Sequence, residues 1–455
     1  MLSGACKGAK DREIGMSLAT PEKIRRLQRK LYVKAKQEPV FRFYQLYDKV
    51  YREDILAHAW RLARSNRGAP GVDGLDFADI EAQGLEEWLA GLQAELREKR
   101  YQCSPVRRVM IPKPGGGERP LGIPTVRDRV VQTAAKLVLE PIFEAGFEAS
   151  AYGYRPGRSA QDAVRAAHQA LCEGYTQVVD ADLSKYFDTI PHHELMASVA
   201  RRVADRQMLK LIKAWLKAPV EERDERGRRR MSGGKQSKRG TPQGGVISPL
   251  LANIYMHRFL RAWRERGKPR QFQACLVNYA DDFVILSRGR AAEALAWTRW
   301  AMGRLGLALN DAKTCLRNGT REHFDFLGYT FGPAYWPKDG RWYLAAKPSR
   351  VSVKRLKGRV GALLAPGNQA PWPEVAGRLN RLLLGWANYF GYGTRWRVYH
   401  DVDHHVWSRT RRFLQRRHKV PTRGTRRFSA AEVFGTLGVL RLETLLVKPS
   451  SVSLT

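Results

Sequence analysis

The stretches VVDADLSKYFDTI, residues 178–190, and VNYADDFVIL, residues 277–286, decide the fold. In the first, an apolar run leads into Asp182; in the second, Asp281 and Asp282 stand between two apolar halves. Two adjacent carboxylates are costly to bury in an apolar strand, so the second stretch predicts a β-hairpin with a polar tip. The first predicts a strand that ends at its last aspartate and is followed by a helix.

Aspartates delivered by strand ends are the ligands that a two-metal phosphoryl-transfer site requires. Mg²⁺ prefers oxygen ligands, and two ions about 3.5–4 Å apart stabilise both the attacking and the leaving oxygen. The sequence therefore predicts a nucleic-acid polymerase with Asp182, Asp281 and Asp282 as its catalytic carboxylates and two Mg²⁺ ions as cofactors. The alternative is a chance Tyr-x-Asp-Asp in a solvated turn, and the further motifs below weigh against it.

The charge of the chain indicates its partner. Its 455 residues contain 80 Lys and Arg against 44 Asp and Glu, a net charge of +36. A compact fold with this excess repels itself unless a polyanion neutralises it, so nucleic acid is the expected partner. No apolar stretch is long enough to span a bilayer, so no membrane partner is expected. The five cysteines include no Cys-x-x-Cys pair, which argues against a zinc site or a disulfide framework and favours a cytoplasmic setting.

Changes in pattern along the chain predict four segments. They are a basic helical N-terminal arm (1–75), a mixed region of strands and helices that carries the chemistry (76–335), a helical bundle (345–430) and a short tail (431–455). Three apolar stripes at helical spacing after Pro348 predict the bundle. Residues 404–427 contain nine Lys or Arg and no acid, which predicts a phosphate-contacting face.

Two glycine-rich turns supply candidates for nucleotide binding. In IPKPGGGERPLGIP, Lys113 and Arg119 flank a flexible turn, an arrangement that suits a triphosphate; a structural hairpin with incidental cations fits equally well. In RGTPQGG, Gln243 and Gly244 precede an apolar helix, where glycine lets the backbone approach a template or base pair closely.

Four further side chains have both a functional and a structural interpretation. Phe187 follows Asp182 by five residues and could exclude a 2′-hydroxyl, which favours a DNA product, or could be a core residue. Lys313 in NDAKT could protonate departing pyrophosphate or be a solvated lysine. Arg155 and Arg158 in YGYRPGRS could track a template backbone or belong to a well-packed turn.

The ordered motifs resemble those of a known family. The series IPKPGGGERPLGIP, YGYRPGRS, DADLSKYFDTI, GTPQGGVISPLLANIY, YADD, NDAKT and FDFLGY resembles the reverse-transcriptase domain of bacterial group II intron-encoded proteins. LNRLLLGWANYFGYG resembles the thumb or maturase domain of that family. The resemblance implies an α+β right-hand polymerase with fingers, an antiparallel palm sheet flanked by helices, and an α-helical thumb. It also implies an RNA-directed DNA polymerase that acts as a maturase.

The same resemblance implies roles for particular residues and partners. The Leu183 carbonyl would be an additional metal ligand, while Lys113, Arg119, Phe187, Gln243, Gly244 and Lys313 would bind the nucleotide. The pattern of the sequence itself, in the YGYRPGRS turn and in the basic run 404–427, supplies the expected RNA-binding residues: Arg155, Arg158, Arg409, Arg411, Arg412, Arg416, Arg417 and Lys419. The partners would be the group II intron RNA in a lariat ribonucleoprotein, an RNA template with a DNA primer, dNTPs and target DNA, in a bacterial, nucleoid-associated location.

The chain departs from many members of the family at its C-terminus, where no paired cysteines of an endonuclease domain occur, so we expect no second-strand cleavage. Two alternatives remain. One is a group II-like reverse transcriptase of a defence, CRISPR or diversity-generating system. The other is a splicing-only RNA-binding cofactor, which the intact aspartates disfavour, as Phe187 disfavours RNA-templated RNA synthesis.

Overall fold

A computed structural model describes residues 19–112, 117–223 and 228–446. The chain divides into two compact units, each built from two stretches of sequence. The first unit comprises 1–148 and 185–258, and the second comprises 149–184 and 259–455. The mixture of antiparallel sheets with a helical C-terminal region confirms the α+β class.

The helices are, in chain order, α1 (Glu22–Gln37), α2 (Tyr47–Val50), α3 (Glu53–Ser65), α4 (Phe77–Ala82), α5 (Leu85–Arg97), α6 (Val126–Glu144), α7 (Ala160–Cys172), α8 (Tyr186–Thr189), α9 (His192–Ala200), α10 (Arg206–Leu216), α11 (Ser248–Glu265), α12 (Lys268–Gln271), α13 (Ala291–Arg304), α14 (Arg350–Leu363), α15 (Trp372–Tyr389), α16 (Trp396–Arg417) and α17 (Ala430–Phe434).

The strands are β1 (Val106–Pro112), β2 (Glu118–Ile123), β3 (Gln177–Asp182), β4 (Pro219–Arg223), β5 (Arg229–Gly233), β6 (Ala274–Tyr279), β7 (Asp282–Ser287), β8 (Cys315–Asn318), β9 (Phe324–Phe326), β10 (Tyr329–Tyr335) and β11 (Trp342–Pro348). Short 3₁₀ turns cover Gly234–Gln236 and Leu442–Leu445.

The first unit surrounds helix α6, most of whose residues are buried, including the polar Asp128, Arg129, Gln132 and Thr133. Thr125 caps the start of α6 by accepting a hydrogen bond from the backbone N–H of Asp128. A four-stranded sheet of order β2-β1-β4-β5 belongs to this unit, with β1 and β4 parallel and the other two pairs antiparallel. Strands β4 and β5 pair antiparallel, from Pro219 opposite Gly233 to Arg223 opposite Arg229.

The second unit is built on a four-stranded antiparallel sheet of order β6-β7-β3-β8. One face buries Val178, Val284 and Leu286 against α7. Helix α13 contacts strands β3 and β7, and Phe283 packs on Phe259 with ring centroids 5.7 Å apart. Because side chains alternate along a strand, the face that packs on α7 is also the face on which the aspartates of β3 and β7 lie.

The C-terminal part of the second unit is a helical bundle of α14, α15 and α16, as the apolar stripes predicted. Leu356, Leu379, Leu383, Val402 and Val406 from these helices are buried in one core. Fully burying an aliphatic side chain of this size contributes about 1.5–3 kcal/mol, so the three stripes provide the main stabilisation of the bundle. No helix in the described residues is long and apolar enough to cross a membrane.

Candidate active site

The predicted carboxylates lie at one end of the sheet of the second unit. Asp182 is the last residue of β3, and Asp282 is the first residue of β7. The two are direct cross-strand partners in the antiparallel register. Tyr279, the last residue of β6, also pairs with Asp282, so Asp281 lies in the two-residue turn of the β6–β7 hairpin. The sequence prediction of a strand ending at Asp182 and a hairpin with a polar tip is confirmed.

The hairpin tip is held by the segment that precedes α7. The amide of Asn278, inside β6, donates to the Ala280 carbonyl at 2.8 Å. The Asn278 backbone N–H donates to the Ser150 carbonyl, and the Tyr152 backbone N–H donates to the Asn278 carbonyl, each at 2.8 Å. A Cβ on Gly153 would lie 2.5 Å from the Ala280 nitrogen. Only glycine lets this segment approach the turn so closely, and the turn needs the support because Ala280 adopts a positive φ of 58°.

Asp182 is engaged by the NDAKT turn. Its carboxylate accepts hydrogen bonds from Lys313 Nζ at 3.0 Å and from Asn310 Nδ2 at 3.1 Å. The Asn310 backbone N–H donates to the Asp182 carbonyl at 2.8 Å. The hydrogen bond to Asp182 is the main cause of a raised pKa of Lys313, which keeps the ammonium protonated at neutral pH. A cation therefore stands beside the carboxylates in this arrangement.

The electrostatics of the cluster favour a further cation. Burial, followed by the negative charges of Asp281, Asp182 and Asp180, raises the pKa of Asp282 to about 7. Burial is also the largest cause of the raised pKa of Asp281. Burial raises the pKa of Asp180 to about 6, although Arg317 opposes the shift. Like charges held together at a strand end disfavour ionisation until a positive charge neutralises them.

The residues present fit a divalent metal. All the candidate donors are oxygens, which hard cations prefer. Leu183 forms an antiparallel bridge with Leu309. The hydrogen bonds of this bridge are made by the neighbouring residues: the Ser184 N–H donates to the Ala308 carbonyl, and the Asn310 N–H donates to the Asp182 carbonyl. The Leu183 carbonyl is therefore not bonded to Leu309. Within the described residues no three acidic, histidine or cysteine side chains form a ready-made metal cage. Mg²⁺ is typically bound by one or two carboxylates together with substrate phosphates and water, so a full cage is not required.

The candidates Phe187, Gln243 and Gly244 lie together in the first unit. The Thr241 backbone N–H donates to the Phe187 carbonyl at 2.7 Å. Gln243 Nε2 lies 3.0 Å from each carboxylate oxygen of Asp188, the residue after Phe187. On its other side the Gln243 carbonyl accepts from the backbone N–H of Gly122 in β2 at 2.5 Å.

Gly244 is required in this turn. Its backbone φ of +108° is a value that residues other than glycine rarely adopt. A Cβ at this position would lie 2.2 Å from the Gly122 carbonyl oxygen.

Of the two cations predicted to contact the triphosphate, Arg119 lies exposed in β2, opposite Ile111 of β1, while Lys113 lies outside the described residues.

The predicted RNA-binding arginines divide into two groups. Arg155 is 8% exposed and donates to the Ala151 carbonyl at 2.7 Å, a placement that argues against the direct RNA contact expected of it. Arg158 donates to the Ala149 carbonyl and lies over the ring of Tyr152. Both hydrogen bonds hold the segment around Gly153, and that of Arg155 also supplies a partner that its buried guanidinium needs.

On helix α16 the arginines likewise differ. Arg409 donates to the Gly361 carbonyl at 3.3 Å, and Arg417 donates to the Ala370 carbonyl at 2.7 Å. Arg411 is half-buried over the ring of Trp407. Arg412 and Arg416 are exposed one helical turn apart, and Lys419 is exposed just beyond the helix.

Four residues that contact the predicted ones were not themselves predicted: Asn278, Gly153, Asp188 and Asn310. An asparagine within the apolar run LVNY signalled that Asn278 has a polar partner, since an unpaired buried amide is costly. Nothing in the sequence connected Asp188 with Gln243, which lies 55 positions further along the chain.

Two family models and several known proteins match this chain. Residues 111–331 match the family "Reverse transcriptase (RNA-dependent DNA polymerase)", and residues 353–429 match "Group II intron, maturase-specific domain". The chain is 36% identical over 343 residues to protein YkfC of Escherichia coli, which covers 67% of this chain and 87% of YkfC. It is 36% identical over 216 residues to the group II intron-encoded protein LtrA of Lactococcus lactis, which covers 47% of this chain and 34% of LtrA.

A third relative is an uncharacterised 91 kDa protein in the cob intron of Schizosaccharomyces pombe, 33% identical over 417 residues; the match covers 76% of this chain and half of that protein. The chain thus spans most of YkfC but half or less of the other two relatives.

The class defined by the carboxylate pair and the matched domains is the reverse transcriptases, which are RNA-directed DNA polymerases. More narrowly, the chain belongs to the group II intron-encoded reverse transcriptases that carry a maturase domain. Enzymes of this class use divalent metal ions and act on nucleic acid, and the maturase-specific domain implies RNA binding.

Proposed function

We propose that this protein extends a DNA primer on an RNA template with dNTPs and two Mg²⁺ ions. The observation that carries the proposal is the cross-strand pair of Asp182 and Asp282 with Asp281 in the adjacent turn. Bound there by these carboxylates and the Leu183 carbonyl, the ions would activate the primer 3′-hydroxyl and stabilise the departing pyrophosphate. The raised pKa of Asp282 supports this assignment, because proton and metal then compete for one site.

The chain's own residues support the remaining steps. Lys313 is held protonated beside Asp182, which suits the predicted role of a general acid toward pyrophosphate. Phe187, Gln243 and Gly244 would bind the incoming nucleotide, with Arg119 and Lys113 contacting the triphosphate. An aromatic ring at Phe187 favours a deoxyribose, because it offers no hydrogen-bonding group to a 2′-hydroxyl.

We further propose that the protein is the maturase of its own group II intron. It would bind the intron RNA, promote splicing, and remain with the lariat in a particle that inserts into target DNA at the bacterial nucleoid. The match of residues 353–429 to the maturase-specific domain supports this, and so does the net charge of +36. Residues 76–335 would form fingers and palm and 345–430 the thumb, with 1–75 as a basic arm and 431–455 as a tail.

Primer extension on poly(rA)/oligo(dT) with dTTP and Mg²⁺ tests the polymerase directly. We expect extension by the wild type and none by Asp281→Asn. Extension by both would overturn the assignment of the carboxylates. Extension by neither, with intron RNA still bound, would favour a splicing-only RNA-binding protein. Splicing of the intron RNA with and without the protein at low Mg²⁺ tests the maturase activity independently.

A further inference from the structure

One tryptophan of helix α13 is held at the surface by a cluster of aromatic rings. Trp300 is 52% exposed, and its ring centroid lies 6.2 Å from that of the half-buried Trp297. Trp297 in turn packs on Trp263 at 5.6 Å and on Phe259 at 5.9 Å. Indole rings carry a large apolar area with a flat face, so a half-exposed ring on a packed support is suited to stack on another flat group.

The cluster lies on the face of the sheet opposite the catalytic carboxylates. Phe259 packs on Phe283 of β7, with ring centroids 5.7 Å apart. Phe283 directly follows Asp282, and successive side chains of a strand point to opposite faces of the sheet. The sheet therefore separates a ligand on Trp300 from the candidate active site.

Cations surround the exposed ring. The Arg266 guanidinium lies 5.5 Å from the ring centroid of Trp300, and Lys268 Nζ lies 5.4 Å from that of Trp297. Arg304 is exposed and follows Trp300 by four residues, so the two lie on the same face of α13. Arg266 and Arg304 form no ion pair with an acid in the part of the chain that the structure describes. These five residues are called the tryptophan patch below.

The charge and the exposed ring together indicate the kind of partner. Residues 259–272 contain five Lys or Arg and one acid, Glu265, which pairs with Arg261 at 2.7 Å. Such an excess of positive charge favours a polyanion, and the phosphates of a nucleic-acid strand provide one. A base can stack on the ring of Trp300 only where it is unpaired. An acidic peptide would neutralise the cations but would offer no flat group to the ring.

We propose that the tryptophan patch is a nucleic-acid site separate from the polymerase site. It binds an unpaired stretch of RNA by stacking one base on Trp300, while Arg266, Lys268 and Arg304 contact the phosphates. The identity of this RNA rests on the proposed function, in which the protein carries an intron RNA with single-stranded segments. Because the patch lies across the sheet from the carboxylates, RNA can stay bound there while a primer and template occupy the polymerase site.

Binding of a labelled oligo(rA) of about 10 nucleotides tests the site. The protein is first saturated with an unlabelled RNA–DNA hybrid, which occupies the polymerase site. Trp300→Ala should weaken oligo(rA) binding by about 5–100-fold, the loss expected when one base no longer stacks on one ring. Trp300→Phe keeps a ring and should bind within about 5-fold of the wild type. Equal affinity of the wild type and Trp300→Ala would overturn the proposal.

Trp336→Ala is the matched control. Trp336 is 48% exposed, but it stacks on Tyr343 in the β10–β11 hairpin, outside the patch. This variant should bind oligo(rA) as the wild type does. A similar loss in Trp336→Ala and Trp300→Ala would mean that exposed tryptophans contribute without regard to their place in the fold, and the specific site would be wrong.

The cations and the ring should fail in different ways. Replacing both Arg266 and Arg304 with glutamine should weaken the binding of oligo(rA) and of duplex RNA, and should lower the slope of log K against log salt for oligo(rA) by about 1.4. Trp300→Ala should leave duplex binding unchanged, because paired bases do not stack on the ring. Equal losses of oligo(rA) and duplex binding in Trp300→Ala would contradict stacking. An oligoglutamate that binds as tightly as oligo(rA), with neither affected by Trp300→Ala, would assign the patch to an acidic protein segment.

These binding measurements need no catalysis, so they can fail separately from the polymerase assignment. If oligo(rA) binding depends on Trp300 but the wild type extends no primer, the patch stands and the proposed polymerase activity fails. If the wild type extends the primer but oligo(rA) binding does not depend on Trp300, the polymerase assignment stands and the patch fails.

Discussion

Asp281 lies in the turn of the hairpin, next to the cross-strand partner of Asp182. We expect Asp281→Asn to reduce primer extension by at least ~10³-fold, because the loss of one ligand charge weakens both metal positions at once. RNA binding should stay within about two-fold of the wild type, since the substitution leaves the basic surface intact. Steady-state primer extension and filter binding of intron RNA measure the two effects.

Asp311→Asn is the control for that substitution. Asp311 belongs to the NDAKT turn that contacts Asp182, yet its own carboxylate is exposed and pairs with Arg299. An exposed ion pair contributes about 0–1 kcal/mol, so Asp311→Asn should polymerise almost normally. Equal loss in both variants would mean that any charge removed near this turn inactivates the enzyme, and the specific role of Asp281 would be wrong.

The raised pKa of Asp282 predicts a pH-dependent stabilisation by Mg²⁺. Between the usual aspartate pKa near 4 and about 7, the folded metal-free protein holds a proton that the unfolded chain has released. The free energy of unfolding therefore falls as pH rises through this window. Above pH 7 Asp282 is charged in the folded protein, and a bound cation offsets the unfavourable free energy of that charge. We expect Mg²⁺ to raise Tm by at least ~2 °C more at pH 8 than at pH 6. Asp282→Asn should abolish the difference, and a persistent difference would assign it to another group.

Among single residues, the sequence predicted charged side chains that stand inside apolar strands, because burying a charge there is unfavourable unless the charge has a function. The three aspartates were found because carboxylates interrupt apolar strands. Partnerships across long stretches of sequence could not be predicted. Asp188 and Gln243 meet because the two segments that carry them pack together in the fold. Arg155 is buried with its guanidinium bonded to the carbonyl of Ala151, and the sequence does not show where that carbonyl points.

The β6–β7 hairpin depends on one glycine outside it. A Cβ on Gly153 would lie 2.5 Å from the backbone nitrogen of Ala280, and backbone atoms cannot move aside as a flexible side chain can. We expect Gly153→Ala to displace the turn that carries Asp281, with a loss of activity of about 100-fold because catalytic geometry tolerates little displacement. Overpacking should also lower the free energy of unfolding by about 1–3 kcal/mol. Primer extension and urea denaturation measure the two losses.

Gly358→Ala is the matched substitution. Gly358 lies within α14, and a Cβ there would meet no atom within 4 Å. Alanine in a helix interior is favoured over glycine by about 1 kcal/mol, so this variant should be as stable as the wild type or more so and should polymerise normally. If Gly153→Ala matches Gly358→Ala in primer extension and in the free energy of unfolding, the close contact between Gly153 and the hairpin tip is not needed to hold Asp281 in place.

At the scale of elements, local pattern predicted what local pattern controls. The two apolar halves and the polar tip between them predicted the β6–β7 hairpin. The apolar stripes predicted α14, α15 and α16, because each of these helices has to bury one face. The order β6-β7-β3-β8 was not available from the sequence, nor was the parallel pairing of β1 with β4. Strands distant in the chain pair according to the packing of the helices around them, and no single segment encodes that packing.

The net charge of the whole molecule needs a surface where it meets RNA. Helix α16 provides one candidate, but its arginines are not equivalent. Arg409 and Arg417 donate to backbone carbonyls of neighbouring segments, so their removal would weaken the fold as well as RNA binding. Arg412 and Arg416 are exposed, lie one turn apart and form no ion pair with a described residue. Phosphate contacts from α16 are therefore expected from this pair.

Replacing both Arg412 and Arg416 with glutamine should weaken RNA binding and reduce its dependence on salt. Each lost phosphate contact lowers the slope of log K against log salt by about 0.7–0.9, so the pair should lower it by about 1.4–1.8. Filter binding of intron RNA between 50 and 300 mM KCl measures the slope, where the salt range is chosen to span roughly physiological ionic strength. Arg378→Gln on α15 is the control, because Arg378 already pairs with Glu374 at 2.6 Å and should leave the slope unchanged. A slope that stays constant in the double variant while affinity falls would mean that α16 acts through shape and packing instead of charge.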